Sequence, residues 1–251
     1  MQSVKSSLLN KYSNLLHAFS TKAIGHSQKP FSHKNLAYHV NDNAQDVLKN
    51  HLDYAKHLRY NYQNLVYMEQ VHGDKIQLIT QESDLNQIPT CDALITQEKD
   101  IPLMVMVADC VPILIYDPIQ EAIAVVHAGR AGTFKQILKK TIKYIEARFD
   151  SHVKDLICVL GPSIHKCCYE VGEEIKDEAF VLSYDFAITQ KNGSYYLDII
   201  AILKHQLNEI GVPEEHIEVS PYCTSCNKEL FFSYRAEKNT TGRFSGLLML
   251  R

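Results

Sequence analysis

Cys110 and His127 each stand where a dense apolar run meets a turn. One run leads through Ala108-Asp109 into Cys110, and another passes through His127 into Ala128-Gly129. Apolar runs of this length, rich in Val and Ile and bounded by turn residues, are the pattern of buried strands. Strands would therefore deliver both side chains to one place. His72, in Gln70-Val71-His72-Gly73, is a third residue able to join them. One thiolate and two imidazoles make a three-ligand set suited to an open zinc site. The same residues also suit a thiol nucleophile, with His127 as its base and Asp109 or His72 orienting the ring. Residue types and spacing leave both chemistries open.

Further cysteines and arginines carry weaker signals. Cys223-Thr224-Ser225-Cys226 is a C-x-x-C, but no second pair stands at a zinc-finger spacing, so these two read as structural thiols. Cys167 and Cys168 are adjacent, where an ordinary disulfide would be strained, and they read as part of a loop. Arg130, Arg235 and Arg243 carry forked donors that match phosphate or carboxylate.

The elements that must position these groups follow from patterning. Residues 101–133 hold three apolar segments and form the centre of the chain. Strands are expected at 15–21, 65–68, 75–80, 92–96, 156–160, 195–197, 217–220, 231–234 and 246–250. A helix capped by Asn41-Asp42 is expected to bury Val47, Leu48, Leu52, Ala55 and Leu58. A second has Phe134, Ile137, Leu138, Thr141, Ile142 and Ile145 on one face and lysines on the other. A short acidic helix is expected over 171–180. A last one is capped by Asp198, carries Ile199, Ile202, Leu203, Leu207 and Ile210, and stops at Gly211. Residues 22–40 are polar and form a loop long enough to cover a site. Strands and helices mix without strict alternation, so the fold class is α+β with a mixed sheet, in one domain. Neither G-x-G-x-x-G nor G-x-x-x-x-G-K-[ST] occurs, so a Rossmann or P-loop nucleotide site is not supported.

Composition narrows the function classes. The 251 residues are 45% hydrophobic and 22% charged, with a net charge of -3. That balance gives no electrostatic reason to expect nucleic acid or an anionic membrane as partner. The longest apolar run, 101–116, is broken by Asp109 and Pro112 and is too short to span a bilayer. Seven cysteines without a disulfide pattern, and a start that does not read as a signal peptide, point to a reducing cytoplasm. The remaining histidines, His39 among them, are scattered and read mostly as surface or structural residues.

An ordered set of motifs resembles a known family. Gln70-Val71-His72-Gly73, Asp92-Ala93-Leu94, Ala108-Asp109-Cys110-Val111-Pro112 and His127-Ala128-Gly129 are followed by Gly161-Pro162-Ser163-Ile164 and Tyr169-Glu170-Val171-Gly172. Cys223-Thr224-Ser225-Cys226, Phe231-Phe232-Ser233-Tyr234-Arg235 and Thr241-Gly242-Arg243 complete it. The set resembles the YfiH family, also called the laccase-domain (multicopper polyphenol oxidase, FAMIN-like) family, from about residue 19 to the C-terminus.

The resemblance implies a single domain over 1–251, with layered mixed sheets flanked by helices (α/β/β/α). It implies zinc held by His72, Cys110 and His127, which would also be the catalytic residues, and substrate contacts from Lys22, Gln70, Asp109, Arg130 and Arg243. The implied reaction is purine nucleoside phosphorolysis of adenosine, inosine, guanosine or methylthioadenosine, with adenosine deamination as a second activity. The partners are then a nucleoside and phosphate, and the protein a monomer or small homo-oligomer. An alternative within the family is an amidase that removes L-Ser from UDP-MurNAc-Ser. A copper (Cu2+) polyphenol oxidase is the less favoured reading, because a multicopper site needs many His ligands, often as H-x-H, and this chain has no H-x-H. Two positions depart from the family. Arg130-Ala131 stands where Trp-Arg is common. Lys22 stands where an Arg before Gly-Gly is common, keeping the charge but losing the planar fork.

Overall fold

Fourteen strands and five α-helices form among residues 3–251, the part of the chain that the computed structural model describes. In chain order these are β1 (Ser3–Val4), β2 (Leu15–Ser20), α1 (Ala44–Leu58), β3 (Val66–Tyr67), β4 (Ile76–Leu78) and β5 (Ala93–Thr96). The central stretch gives β6 (Leu103–Val107), β7 (Val111–Asp117) and β8 (Ala122–Ala128). Then come α2 (Arg130–Phe134), α3 (Ile137–Phe149), β9 (Ile157–Leu160), β10 (Glu170–Val171) and α4 (Glu173–Val181). The chain closes with β11 (Ile188–Lys191), β12 (Ser194–Leu197), α5 (Ile199–Ile210), β13 (Ile217–Val219) and β14 (Phe244–Leu250).

Two large mixed sheets are built, ordered β1-β2-β14-β6-β3 and β13-β9-β7-β8-β5-β4, with a small third sheet β10-β12-β11. Period-two alternation then sets the layers. One face of β6 and β14 (Val105, Val107, Phe244, Leu248) meets one face of β7, β8 and β9 (Leu114, Val125, Val159) in a core between the sheets. The opposite face of the six-stranded sheet (Ile113, Ile115, Ala124, Val126) packs on Ile142 of α3 and Leu203 of α5. The opposite face of the five-stranded sheet (Leu16, Met104, Met106, Leu247) packs on Tyr54, Ala55 and Leu58 of α1. The α/β/β/α order is thus what both faces of each sheet require, since buried strands need cover on two sides. Gly161 matters at the centre of this sandwich: a Cβ there would lie 2.3 Å from Phe19 Cε1.

Some expectations are corrected. Asn43, not Asn41-Asp42, caps α1, with its side chain accepting from the N–H groups of Gln45 and Asp46. Leu48 and Leu52 are exposed, while Asn50 and His51 are buried in their stead. The reason is local. Asn50 donates to the Ser27 hydroxyl and to the carbonyls of His33 and Asn35, so α1 turns a polar clamp toward the 22–40 loop. Phe134 ends α2, and Gln136, at φ 61°, separates it from α3. Residues 231–234 are irregular rather than a strand, though Phe231 and Phe232 are wholly buried. Asp198 does cap α5, accepting from Ala201 N–H, and Gly211 ends it at φ 90°.

Candidate metal centre

The paired ends of the central strands bring the expected ligands together. β7 and β8 run antiparallel, with Val111 opposite Ala128 and Pro112 opposite His127. Cys110 precedes Val111, so its side chain leaves the sheet at the same end as His127. His72 arrives from the loop between β3 and β4. The sulfur of Cys110 and one ring nitrogen each of His72 and His127 all lie within 4.8 Å of one another. Cys110 Sγ is 3.8 Å from His72 Nε2. The two imidazoles stand edge to face, 4.7 Å between centroids. His127 is buried and His72 exposed, so the group opens on one side.

Asp92 organises this arrangement, and it was not among the expected site residues. Its Oδ1 lies 2.8 Å from His127 Nδ1 and accepts from His72 N–H at 3.0 Å. Oδ2 accepts from the N–H groups of Gly73 at 2.7 Å and Val71 at 3.3 Å. One buried carboxylate therefore fixes the His127 ring and the turn that carries His72. That turn holds His72 at φ 56°, in the left-handed region that a non-glycine residue occupies only when its surroundings hold it there. Burial opposes ionisation of Asp92, but the His127 ring and these N–H donors outweigh it and hold the carboxyl below its usual range. The legible signal was an acidic residue opening a fully buried strand.

The electrostatics fit a cation. Burial alone would raise the Cys110 thiol, yet His127 and then His72 draw it down to about 6. Burial likewise lowers His127, but the Cys110 thiolate and Asp92 outweigh it and raise the imidazole to about 9. Both shifts favour the thiolate and the imidazolium. With Nδ1 engaged by Asp92, Nε2 of His127 is the nitrogen that would give up its proton to solvent and bind a metal. Thiolate and imidazole donors converging this closely, one of them oriented by a carboxylate behind it, fit a bound metal ion. Gly129 keeps the space clear: a Cβ there would meet His72 Cδ2 at 2.9 Å and Cys110 Sγ at 3.0 Å.

His72, Cys110 and His127 form part of the wall of a cleft of about 460 Å³. Gln70, Asp109, Arg130 and Arg243 also line it. The Gln70 amide is bound to the backbone of Met106, donating to its carbonyl at 2.8 Å and accepting from its N–H at 2.9 Å. Asp109, at φ 89°, accepts from the Thr224 hydroxyl at 2.6 Å and from Arg235 N–H at 2.7 Å. Arg130 donates to Glu178 at 2.5 Å, and Arg243 to the carbonyls of Thr241 and Gly242 at 2.8 and 3.0 Å. Lys22 is the exception. It is not part of the cleft wall, and its ammonium pairs with Glu237 at 3.0 Å. Arg235, His39, Tyr169 and Tyr234 also line the cleft. His39 comes from the 22–40 loop, whose length had pointed to a covering role.

Comparison with known proteins identifies the family. Residues 16–251 match the family model described as multi-copper polyphenol oxidoreductase laccase. The chain is 33% identical over 247 residues to purine nucleoside phosphorylase YlmD of Bacillus subtilis, covering 94% of this chain and 89% of that one. The fold is similar to the crystal structure of the hypothetical protein YfiH of Bacillus licheniformis, at TM-score 0.93 and 31% identity, covering 100% of this chain and 97% of that one. It is also similar to YlmD of Geobacillus stearothermophilus, at TM-score 0.88 and 32% identity, covering 96% and 93%. This protein belongs to the multi-copper polyphenol oxidoreductase laccase family, known also through its YfiH and YlmD members.

Proposed function

We propose that this chain is a zinc-dependent purine nucleoside phosphorylase acting on adenosine, inosine, guanosine and methylthioadenosine, with adenosine deamination as a second activity. The observation that carries the reading is the convergence of His72, Cys110 and His127 in one arginine-lined cleft. The relatives named purine nucleoside phosphorylase, similar over most of the chain, support it.

In this reading His72, Cys110 and His127 would hold zinc, which would supply a Lewis-acid centre beside the bound substrates. Arg130, Arg235 and Arg243 bind the phosphate by forked hydrogen bonds, each keeping donors beyond those already bonded to protein oxygens. Tyr169 and Tyr234 give the purine flat surfaces. Each also lies under a guanidinium, Arg235 at 5.6 Å and Arg243 at 5.7 Å, so stacking and anion binding adjoin. Holding phosphate against the anomeric carbon replaces a bimolecular encounter with a local one. The bond from the anomeric carbon to the purine nitrogen breaks, and the bond to a phosphate oxygen forms. Lys22 is left out of phosphate binding by its pairing with Glu237.

The test is a nucleoside panel with inorganic phosphate, read by mass spectrometry. Free base with ribose 1-phosphate is the expected product pair. Free ribose, or no release of base, would overturn phosphorolysis. Release of serine from UDP-MurNAc-Ser would favour the amidase alternative, for which the Cys110–His127 pair offers a thiolate nucleophile.

A further inference from the structure

A second cluster of metal-ligating side chains lies outside the catalytic group. Cys167, Cys168, Cys223 and Cys226 place their four sulfurs within 4.8 Å of one another. Cys226 Sγ is 3.6 Å from Cys167 Sγ and 3.3 Å from Cys168 Sγ. All four are free thiols, and these are non-bonded distances, since a disulfide holds its sulfurs at about 2.0 Å. Four sulfurs arranged tetrahedrally around zinc, each about 2.3 Å from the ion, stand about 3.8 Å apart. The missing partner of the C-x-x-C is thus the adjacent cysteine pair. The two pairs are so far apart in the chain that no zinc-finger spacing could reveal them.

The fold builds the cluster from two segments tied together by backbone. Ser163 and Cys223 form a parallel bridge, with Thr224 N–H donating to Ser163 O at 2.9 Å and Ser163 N–H to Tyr222 O at 3.3 Å. The Cys167-Cys168 turn closes through Cys168 N–H onto His165 O at 2.9 Å. The Cys223 sulfur accepts from His165 N–H at 3.5 Å and from the backbone of Cys226. Backbone donors aimed at a sulfur stabilise its thiolate.

We propose that Cys167, Cys168, Cys223 and Cys226 form a tetrathiolate zinc site that clamps the loop before Tyr169 to the turn carrying Thr224. As each sulfur–zinc bond forms, its thiol gives up a proton to solvent, and four thiolates around one Zn2+ leave a dianionic centre. Four protein ligands leave no open position, so the site is structural. It would nonetheless bear on the cleft. Thr224 lies between Cys223 and Cys226 and donates to Asp109, the neighbour of Cys110. Arg235 donates to the carbonyls of Cys168 at 3.5 Å and Glu170 at 2.9 Å, on the other clamped segment.

The test is metal content by mass spectrometry on full-length protein prepared with zinc and without a chelating step. Wild type is expected to carry two zinc equivalents, Cys167→Ser/Cys226→Ser one, and Cys110→Ala one. Cys167 and Cys226 are exposed, so their exchange leaves the core intact, and circular dichroism checks the fold. A second measurement needs no variant. Native wild type is treated with iodoacetamide before and after a zinc chelator, and modified cysteines are mapped. Cys167 and Cys226 are expected to be protected until the chelator is added. Wild type carrying only one zinc equivalent with none left in Cys110→Ala, equal alkylation with and without chelator, or a disulfide within the four would each overturn the proposal.

Discussion

The Asp92 carboxylate lies 2.8 Å from Nδ1 of His127, with both side chains buried. The same carboxylate takes the N–H groups of Val71, His72 and Gly73, so it holds two of the three residues of the His72–Cys110–His127 cluster at once. An imidazole fixed this way presents its other nitrogen without a search over ring orientations or tautomers. Asp92→Asn keeps the shape but replaces one acceptor oxygen with a donor. It should weaken zinc binding by about 10- to 100-fold, the range for a lost partner behind a metal ligand. Competition against a chromogenic chelator measures this, and wild-type affinity in the variant would refute the role.

Gly129 isolates a purely steric contribution. Its φ of -75° suits any residue, so Gly129→Ala introduces no backbone strain. The new methyl would sit 2.9 Å from His72 and 3.0 Å from Cys110. Turnover should fall at least tenfold while the thermal midpoint moves little. Unchanged turnover would mean that the ligands move aside without consequence.

The two cations treated differently by the fold should behave differently. Lys22 pairs with Glu237, whereas Arg235 lines the cleft. Lys22→Ala should leave the KM for phosphate within about twofold of wild type. Arg235→Ala should raise it by about tenfold or more, as expected when a charged hydrogen bond of roughly 1.5–3 kcal/mol is lost. The reverse pattern in steady-state kinetics would return phosphate binding to Lys22.

Acid should destabilise the fold through two histidines far from the centre. Burial, then the charge of Lys5, pushes His17 down to about 4, and its Nε2 accepts from Ser6 N–H, so that nitrogen carries no proton. Burial also lowers His51 to about 4. Both rings are neutral in the folded chain, while unfolded they protonate near 6.5. The unfolded chain therefore binds more protons as pH drops, and stability is lost between about pH 6.5 and 4. Each group contributes at most about 1.4 kcal/mol per pH unit in that window. Urea unfolding at stepped pH should show the slope, and His17→Gln should flatten it. A slope unchanged in the variant would contradict the assignment.

Much of this was legible in the chain. The three apolar runs of residues 101–133 became β6, β7 and β8, and the Cys and His at their ends met His72 as residue type suggested. Asp198 and Gly211 bounded α5 because cap chemistry is local. What escaped depended on distant partners. Asn50 and His51 displaced Leu48 and Leu52 from the buried face of α1 because the polar groups of the 22–40 loop had to be satisfied there. Phe231 and Phe232 look like strand residues yet fill the core from irregular backbone, since burial selects aromatics whatever the backbone does. Asp92 reads as a strand boundary until its four backbone and ring partners are seen.

The central claim is that the zinc held by His72, Cys110 and His127 is required for phosphorolysis. The most direct measurement compares wild type and Cys110→Ala, each assayed for metal content and for phosphate-dependent release of hypoxanthine from inosine. The account predicts that the variant loses one zinc equivalent and its turnover together, with circular dichroism unchanged. Full phosphate-dependent turnover by a variant lacking that zinc would contradict it.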